Sequence, residues 1–400
     1  MGEVFRVALR LGLTSFGGPT AHVAYFREEY VVRRRWLDDA RFGDLLALCQ
    51  ALPGPASSQL GLAIGTLRAG RLGGIAAWAG FTLPSALALV AFAAGLRGVD
   101  PARAAPWLHG LELAAVAVVA SAVLGMAQTL AATRGTALVA AATAVCVLAL
   151  PSLGVPGAPL QIALLALSAG LGARLWPGAR AAAPRQRGPL GLRVLALPLA
   201  CAALLVALPL AAAVTRAPLL ALVDTFSRVG ALVFGGGHVV LPLLETEVVA
   251  PGWMTRAEFV AGYGAAQAVP GPLFSFAAYV GWLARPGGAA PGGAPGAVAA
   301  LVAVYLPSFL LVWGILPHWD ALRARPRVQG ALRGACACVV GLLGAALYAP
   351  LWSGSVAGVR DAALVVAAFG AVRAARVPPW AVVAGSAVVA GLAGGSAPPG

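Results

Sequence analysis

The sequence of 400 residues contains no lysine, because all 28 of its basic residues are arginine. A P-loop needs a lysine after its glycine-rich turn, so this chain cannot hydrolyse ATP through such a loop. Charge of either sign is scarce: Asp, Glu, Lys and Arg together make up only 10% of the residues. Soluble domains contain about a quarter, so the composition excludes an ordinary cytoplasmic protein.

Residues with redox or metal chemistry are few, and their spacing suits neither role. The two closest of the five cysteines, Cys336 and Cys338, lack the C-x-x-C spacing of a redox pair. We interpret all five as small buried hydrophobic residues. The four histidines form no H-x-x-x-H pair, and the apolar segments hold no paired carboxylates and no Ser/His/Asp arrangement. We therefore expect no metal and no cofactor, and a membrane-embedded enzyme is the least favoured class.

Hydrophobic residues account for 60% of the chain and are gathered into long runs. About 20 apolar residues in a helix cross the hydrocarbon core of a bilayer. The clearest runs cover 72–96, 113–132, 136–150, 157–173, 194–214, 297–317, 335–352 and 361–372. The net charge of +14 lies mostly in short loops between these runs, as the positive-inside rule requires, and does not indicate a nucleic-acid partner. The sequence thus predicts an all-α polytopic membrane protein with ten to thirteen spans.

The chain repeats itself after 217 or 218 residues. "RLGLTSFGGPTAH" at 10–22 aligns with "RVGALVFGGGHVV" at 228–240. Further on, "QALPGP" at 50–55 aligns with "QAVPGP" at 267–272. The order and spacing of these matches favour duplication over chance.

The duplication predicts two homologous helical halves. We place an N-terminal repeat at 1–176, a C-terminal repeat at 216–400, and between them a linker with one unmatched transmembrane segment at 177–215. The tripeptide "LPS" at 83–85 and at 306–308 is a later match within the two repeats.

The charges of two equivalent loops predict that the halves are inverted repeats. The loop at 27–41 contains five arginines, whereas its counterpart at 245–258 contains one arginine and three acids. The first loop is expected to be cytoplasmic and the second external. A complete tracing stays open, because crossing every segment places the arginines of 323–333 on the same side as Glu245 and Glu247.

The Gly-Gly and Pro-Gly-Pro motifs interrupt apolar segments in both halves. Irregular backbone at membrane depth survives only when it is buried in protein or lines a wet cavity, and broken helices at matching positions of two repeats point to a transporter's binding site. Bare N–H groups at a helix start suit an oxyanion. The alternative is that these residues only allow close helix packing. The predicted substrate-binding backbone comprises Gly17, Gly18, Pro19, Pro53, Gly54, Pro55, Gly235, Gly236, Gly237, Pro270, Gly271 and Pro272.

Two arginines and two glutamines complete the predicted substrate site. Arg10 and Arg228 each stand in an apolar segment shortly before a Gly-Gly break, and a guanidinium suits a tetrahedral oxyanion. Alternatively, Arg10 extends to the membrane interface and Arg228 is neutralised by Asp224, one turn before it. Gln50 and Gln267 contact the substrate or else hold the carbonyls that the turns leave free.

Titratable residues near the breaks are candidates for proton coupling, namely His22, Glu29, His238 and Glu247. For the histidines, packing and helix capping are the alternative roles; for Glu29 and Glu247, the alternative is that they are exposed loop acids. The cluster 33–35, three consecutive arginines, either attracts anions to a cytoplasmic mouth or only fixes the topology.

The motifs together resemble those of the chromate ion transporter family in its long, two-domain form. The resemblance rests on "LGLTSFGGPTAHVAYFREEYVVRRRWLDD", "QALPGP" and "LPS" in the first half, and on "FGGGHVVLPLLETEVV" and "QAVPGP" in the second. It implies export of chromate across the inner membrane, driven by the proton-motive force, with the Arg-Leu-Gly, Gly-Gly and Pro-Gly-Pro motifs taking part. The Gly-Gly-Pro of 17–19 is Gly-Gly-Gly at 235–237, which argues against a strictly symmetrical site.

The resulting hypothesis is a secondary transporter of a tetrahedral dianion in the inner membrane, with protons as the coupling ion and the lipid bilayer as its surroundings. Chromate is the first candidate substrate and sulfate the second, since they share charge and shape. An anion channel is the alternative mechanism. The oligomeric state is left open, with a homodimer as one arrangement.

Overall fold

The computed structural model describes residues 1–15, 18–95, 101–153, 157–178, 193–233, 240–290, 292–375, 377 and 379–392, and every regular element within them is helical. The α-helices are α1 (Gly2–Thr14), α2 (Gly18–Arg27), α3 (Asp39–Ala51), α4 (Ala56–Gly95), α5 (Pro101–Leu130), α6 (Arg134–Ala149), α7 (Gly157–Leu175), α8 (Arg193–Thr215), α9 (Pro218–Leu232), α10 (Val240–Val248), α11 (Arg256–Ala268), α12 (Phe276–Leu283), α13 (Gly293–Ile315), α14 (Trp319–Arg323), α15 (Pro326–Ala346), α16 (Ser353–Ser355), α17 (Val359–Arg373) and α18 (Pro379–Leu392).

Five helical segments of the described chain are long and apolar enough to cross a bilayer. They are Ala56–Gly95, His109–Gln128, Leu195–Thr215, Gly293–Leu322 and Pro326–Ser355. Shorter apolar helices cover Arg134–Ala149, Ala163–Leu175 and Ala381–Leu392. The prediction of an all-α, multi-pass membrane protein is confirmed.

Helix α4 is folded back on itself. The backbone leaves helical geometry at Ala69 (φ −147°, ψ 31°) and at Gly70 (φ 68°, ψ −169°). Gly65 lies before this reversal and Gly73 after it. The two face each other so closely that a Cβ on either would collide with the other's carbonyl oxygen. In the second half α12 and α13 form the equivalent hairpin, in which Gly281 and Gly296 make the same kind of contact. Small residues let these helix arms pack backbone against backbone.

The turns of the two hairpins lie at opposite ends of α13. Trp313, near the end of α13, donates a hydrogen bond from Nε1 to Thr66 Oγ1 (3.0 Å) and stacks under the guanidinium of Arg71. Gly296, near the start of α13, packs on Gly281. The two contact points are separated by about 25 Å of helix at 1.5 Å per residue.

The described helices before and after each Gly-Gly motif also run back along each other. Glu3 near the start of α1 forms an ion pair with Arg34, which follows α2 (3.1 Å). In the second half Arg228 of α9 forms an ion pair with Glu247 of α10 (3.0 Å). If either helix pair continued straight through its break, its two charges would lie more than about 25 Å apart. The helices on either side of each break therefore form a hairpin.

The Pro-Gly-Pro turns are reversals of the same kind. The guanidinium of Arg68, at the end of the first arm of α4, lies over Trp36, which precedes α3. Correspondingly, Arg285, just after α12, donates its backbone N–H to the carbonyl of Trp253, just before α11 (2.7 Å). Each half thus contributes two hairpins that begin and end at one face of the molecule.

Two faces can now be defined. The arginine-rich face carries Arg34, Arg41, Arg68 and Arg71, and the opposite face carries Trp253, Glu258 and Arg285. Asp320, after α13, approaches Arg41 (3.7 Å) and therefore lies at the arginine-rich face. The chain next to Asp320 therefore lies away from Glu245 and Glu247. The conflict that left the sequence tracing open disappears, because segments that it took to cross the membrane turn back.

The later helices interlock the two halves. Gly172 of α7 packs against Gly330 of α15, and Gly341 of α15 packs against Ala140 of α6. In the reciprocal arrangement Gly110 of α5 packs against Ser386 of α18. The long helix after each hairpin block therefore packs against helices of the other half, which couples the two halves mechanically.

Candidate functional site

The Pro-Gly-Pro turn of each half is hydrogen-bonded to the helix break of the other half. Gly54 donates its N–H to the carbonyl of Val233 (2.5 Å), and Gly271 donates its N–H to the carbonyl of Ser15 (2.9 Å). Ser15 and Val233 are the last described residues before the first and second Gly-Gly breaks. Each Pro-Gly-Pro turn is thus bonded to the last described residue before the other half's Gly-Gly motif, and we call the place where these residues meet the crossing.

The crossing depends on one glycine in each Pro-Gly-Pro turn. Gly54 has φ +121° and Gly271 has φ +108°, conformations that only glycine adopts readily. A Cβ at Gly54 would collide with Ser308, and a Cβ at Gly271 would lie 2.9 Å from Ser85 Oγ. Because Ser85 and Ser308 end the two "LPS" motifs, each turn also packs against the other half's continuous helix.

Polar side chains surround the crossing on the Gly54 side. Gln59 donates from Nε2 to the Pro53 carbonyl (2.6 Å) and to Ser308 Oγ (3.1 Å), and Ser58 Oγ donates to Tyr305 Oη (3.5 Å). Sequence analysis missed these residues as site residues. The sequence signal for them was the polar pair Ser58-Gln59, shortly after the first Pro-Gly-Pro. In the second copy the aligned residues are Ser275 and Phe276.

Several buried polar atoms around the crossing lack a hydrogen-bond partner within the described part of the chain. They are Gln59 Oε1, Ser15 Oγ and Trp78 Nε1, and the ring of Trp78 stands edge-on to Tyr305 at 5.5 Å. A buried polar group without a partner costs about 1–3 kcal/mol. Ser15 Oγ and Trp78 Nε1 can donate and so suit a guest with acceptor oxygens, whereas Gln59 Oε1 is an acceptor and suits a donor.

The two predicted glutamines have different environments. Gln50, at the end of α3, is exposed. Gln267 is half-buried and donates from Nε2 to Tyr263 Oη (2.8 Å). In the first turn it is Gln59 that donates to a carbonyl of the turn, that of Pro53.

Arg10 and Arg228, which are equivalent in the repeat, have opposite environments. Arg10 is exposed and lines a surface cavity of about 410 Å³ together with Glu3, Arg6 and Arg34. Arg228, whose side chain is 11% exposed, is partly buried and binds Asp224 as the sequence alternative proposed, but it also binds Glu247. The second partner was not foreseen, because its contact depends on the reversal between α9 and α10.

The predicted proton-coupling residues are also distributed unequally. Glu29 is buried and accepts hydrogen bonds from Arg33 Nη1 (2.9 Å) and Arg34 Nε (2.7 Å), so the alternative of an exposed loop acid is wrong for it. His22 is buried, with Nδ1 3.3 Å from Ser57 Oγ and its ring edge-on to Phe81.

Part of the predicted site lies outside the described residues: Gly17, Gly235, Gly236, Gly237 and His238. Gly18 and Pro19 are described only as the first residues of α2. Among the described residues, no group of three or more His, Cys, Asp or Glu is placed to hold a metal ion.

A second ionic network, on the opposite face, was not anticipated from the sequence. His109 of α5 lies 3.1 Å from Asp361 of α17 through Nε2. Arg256 of α11 pairs with Glu245 of α10 (3.1 Å) and with Glu112 of α5 (3.6 Å). No motif marks these residues, because they come from four separate helices of both halves.

Comparison with known proteins gives a consistent result. The family model described as "Chromate transporter" matches residues 2–173 and 220–392. The chromate transport protein of Pseudomonas aeruginosa is 31% identical over 353 residues, covering 86% of this chain and 79% of that protein. The probable chromate transport protein of Synechococcus elongatus is 26% identical, with 85% and 81% covered. The chromate transport protein of Cupriavidus metallidurans is 26% identical, with 84% and 79% covered.

No solved structure matches this chain. The two segments matched by the family model coincide with the two repeats, and the relatives cover both of them. The chain therefore belongs to the chromate transporter family.

Proposed function

We propose that the protein is a secondary transporter that exports chromate from the cytoplasm across the inner membrane and uses the proton-motive force. The relatives named as chromate transport proteins supply the substrate. Sulfate has the same charge and tetrahedral shape, so it is the competing substrate. The arginine-rich face is the cytoplasmic face of this proposal, because arginine-rich loops are retained there.

The observation that carries the proposal is the reciprocal pair of hydrogen bonds at the crossing, Gly54 to Val233 and Gly271 to Ser15. They bring the interrupted hairpins of both halves together at the middle of the long helices α4 and α13, near the "LPS" serines. Interrupted helices that meet at the midplane between two repeats are the usual substrate site of secondary transporters.

The two sets of hairpins approach this site from opposite faces, which supports inverted repeats and alternating access. A small movement of one hairpin pair relative to the other would open the crossing to one face while the other face stays closed. The interlocked packing of α5 on α18 and of α7 on α15 provides a rigid frame for that movement. A channel would need both sides open at once.

The substrate contacts in this proposal come from the backbone N–H groups beside the breaks and from donors near the crossing. The predicted Gly-Gly and Pro-Gly-Pro residues stay in the site. Ser15, Ser58 and Trp78 join them, and Gln59 orients the first turn by its bonds to Pro53 and Ser308. Arg10 approaches the site from the arginine-rich face, and Arg228 approaches it from the opposite face.

The experiment is uptake of labelled chromate into inverted inner-membrane vesicles that contain the protein. Uphill accumulation that collapses when the proton gradient is removed, and that sulfate reduces, is the expected result. Flux that only equilibrates the label across the membrane would establish a channel. Recovery of the label inside the vesicle as reduced chromium would establish an enzyme. Vesicles without the protein, or with Gly54→Ala, are the controls.

A further inference from the structure

Arg228 is held by two carboxylates at once. Its Nε and Nη2 donate to Asp224 (3.0–3.3 Å), and its Nη1 and Nη2 donate to Glu247 (3.0 Å each). The Arg228 side chain is only 11% exposed and that of Glu247 is 22% exposed. One guanidinium thus faces two carboxylates, so that the cluster is formally negative in a partly desolvated setting.

This cluster forms the wall of a cavity of about 730 Å³ between α9, α10 and α15. The cavity is far larger than the roughly 30 Å³ that one water molecule occupies in the liquid, so it can admit a hydrated oxyanion. Its other polar lining groups include Gln161, Thr225 and Thr246. Trp253, on the opposite face, also lines it, so the cavity extends from that face towards the crossing.

The cluster reverses the charge balance of the equivalent place in the first half. There Glu29 is held by Arg33 and Arg34, and the adjoining surface cavity adds Arg6 and Arg10 against Glu3. The mouth at the arginine-rich face is therefore positive, whereas in the 730 Å³ cavity the one arginine among the described lining residues, Arg228, is occupied by two acids. Such a difference favours capture of an anion on one side and its release on the other.

We propose that Asp224 and Glu247 compete with the transported oxyanion for Arg228, so that Arg228 binds the anion only when one of these carboxylates is protonated or withdrawn. The inference rests on the proposed function and assigns the cavity as a release subsite for a tetrahedral dianion. Carboxylate and oxyanion use the same fork of guanidinium donors, so they exclude each other. A proton on Glu247 removes one negative charge and one acceptor, which couples protonation to anion binding.

The charged groups near the cavity show which residues take part in this competition. Among the described residues lining the cavity, Asp224, Arg228 and Glu247 are the charged ones. Glu245, the other acid of α10, pairs with Arg256 instead (3.1 Å). Helix α13, which packs on α9, contains no charged residue.

The test is equilibrium dialysis of labelled chromate against the purified full-length protein at pH 8, where chromate is a dianion. Glu247→Gln keeps the shape and removes the charge, so it should raise the affinity by about tenfold over wild-type protein, the effect of one charge-assisted hydrogen bond. Adding Arg228→Gln to this variant should abolish the gain, since the gain acts through the freed guanidinium.

Glu245→Gln is the matched control, because it removes a buried carboxylate from the same helix without touching Arg228. It should bind chromate with wild-type affinity. If Glu247→Gln and Asp224→Asn both bind chromate like wild-type protein, while wild-type protein transports chromate, the competition is overturned and the proposed function stands. If wild-type protein neither binds nor transports chromate or sulfate, the proposed function fails and the inference with it.

Discussion

Replacing Gly54 by alanine is expected to disable the crossing. Gly54 has φ +121°, and a Cβ built on it would approach both Ser308 Oγ and Gln59 Nε2 closer than the 3.0 Å that real Cβ contacts keep. The added methyl group therefore strains the backbone and displaces the side chain that holds the turn. The N–H that reaches Val233 is then no longer fixed in place.

The size of the effect follows from these contacts. A non-glycine residue in so rare a backbone conformation costs about 1–3 kcal/mol. Displacing Gln59 breaks its bonds to the Pro53 carbonyl and to Ser308, each worth about 1 kcal/mol net. The sum is about 3–5 kcal/mol, which is large compared with the total stability of about 5–15 kcal/mol for typical proteins.

Two assays measure the outcome: chromate uptake into inverted vesicles, and the temperature at which half of the detergent-purified protein loses its monodisperse elution peak. Gly70→Ala is the matched control, because Gly70 also has positive φ (68°) but has nothing within 4 Å of its Cβ position. It should show only the cost of a side chain in a backbone conformation that is essentially restricted to glycine (φ 68°, ψ −169°), about 1–3 kcal/mol. Gly54→Ala combined with Ser308→Gly should recover part of the loss.

The reasoning is refuted if Gly54→Ala transports chromate at the wild-type rate and elutes with wild-type thermal stability. A loss equal to that of Gly70→Ala would also refute it, since the contacts at the crossing would then contribute nothing.

Three further changes test other parts of the molecule. Arg228→Ala is expected to abolish chromate resistance in a sensitive host at unchanged membrane abundance, and normal resistance would remove this arginine from the transport site. In a background without native cysteines, Gly70→Cys should react with an impermeant maleimide only in inverted vesicles. Gly287→Cys should react only in intact cells, because the two hairpin turns lie at opposite faces. Labelling of both cysteines from one side would contradict inverted repeats. Thr255→Ala removes one side of the capping box with Glu258 and should lower stability by about 1 kcal/mol while uptake continues, so lost uptake at full stability would contradict a purely structural role.

Much of the fold was predictable because hydropathy, repeats and helix breakers act locally. The apolar runs predicted the membrane helices, and proline and glycine predicted where helices stop. The motif match to the chromate transporter family covers the same two blocks that the family model matches. The tracing of the chain across the membrane stayed open, because Pro and Gly mark an interruption without showing whether the chain continues or turns back.

The residues of the site also fall into those that the sequence identified and those that it did not. The Pro-Gly-Pro turns were identified from their sequence, since no other residues supply such a backbone. Tyr305 and Ser58 were not, because they lie 247 positions apart and meet only when the halves interlock. Ion pairs behave likewise: Asp224 was foreseen as a partner of Arg228 at helical spacing, whereas Glu247 needed the hairpin.

By itself the amino-acid sequence determined that the chain is a duplicated bundle of membrane helices with paired interruptions, because each of these properties depends on neighbours along the chain. Only the tertiary structure decided that each turn is bonded to the break of the opposite half, and that one arginine is exposed while its repeat partner is held by two acids. The physical reason is that hydrogen bonds and charges act over a few ångströms in space, whatever the distance along the chain.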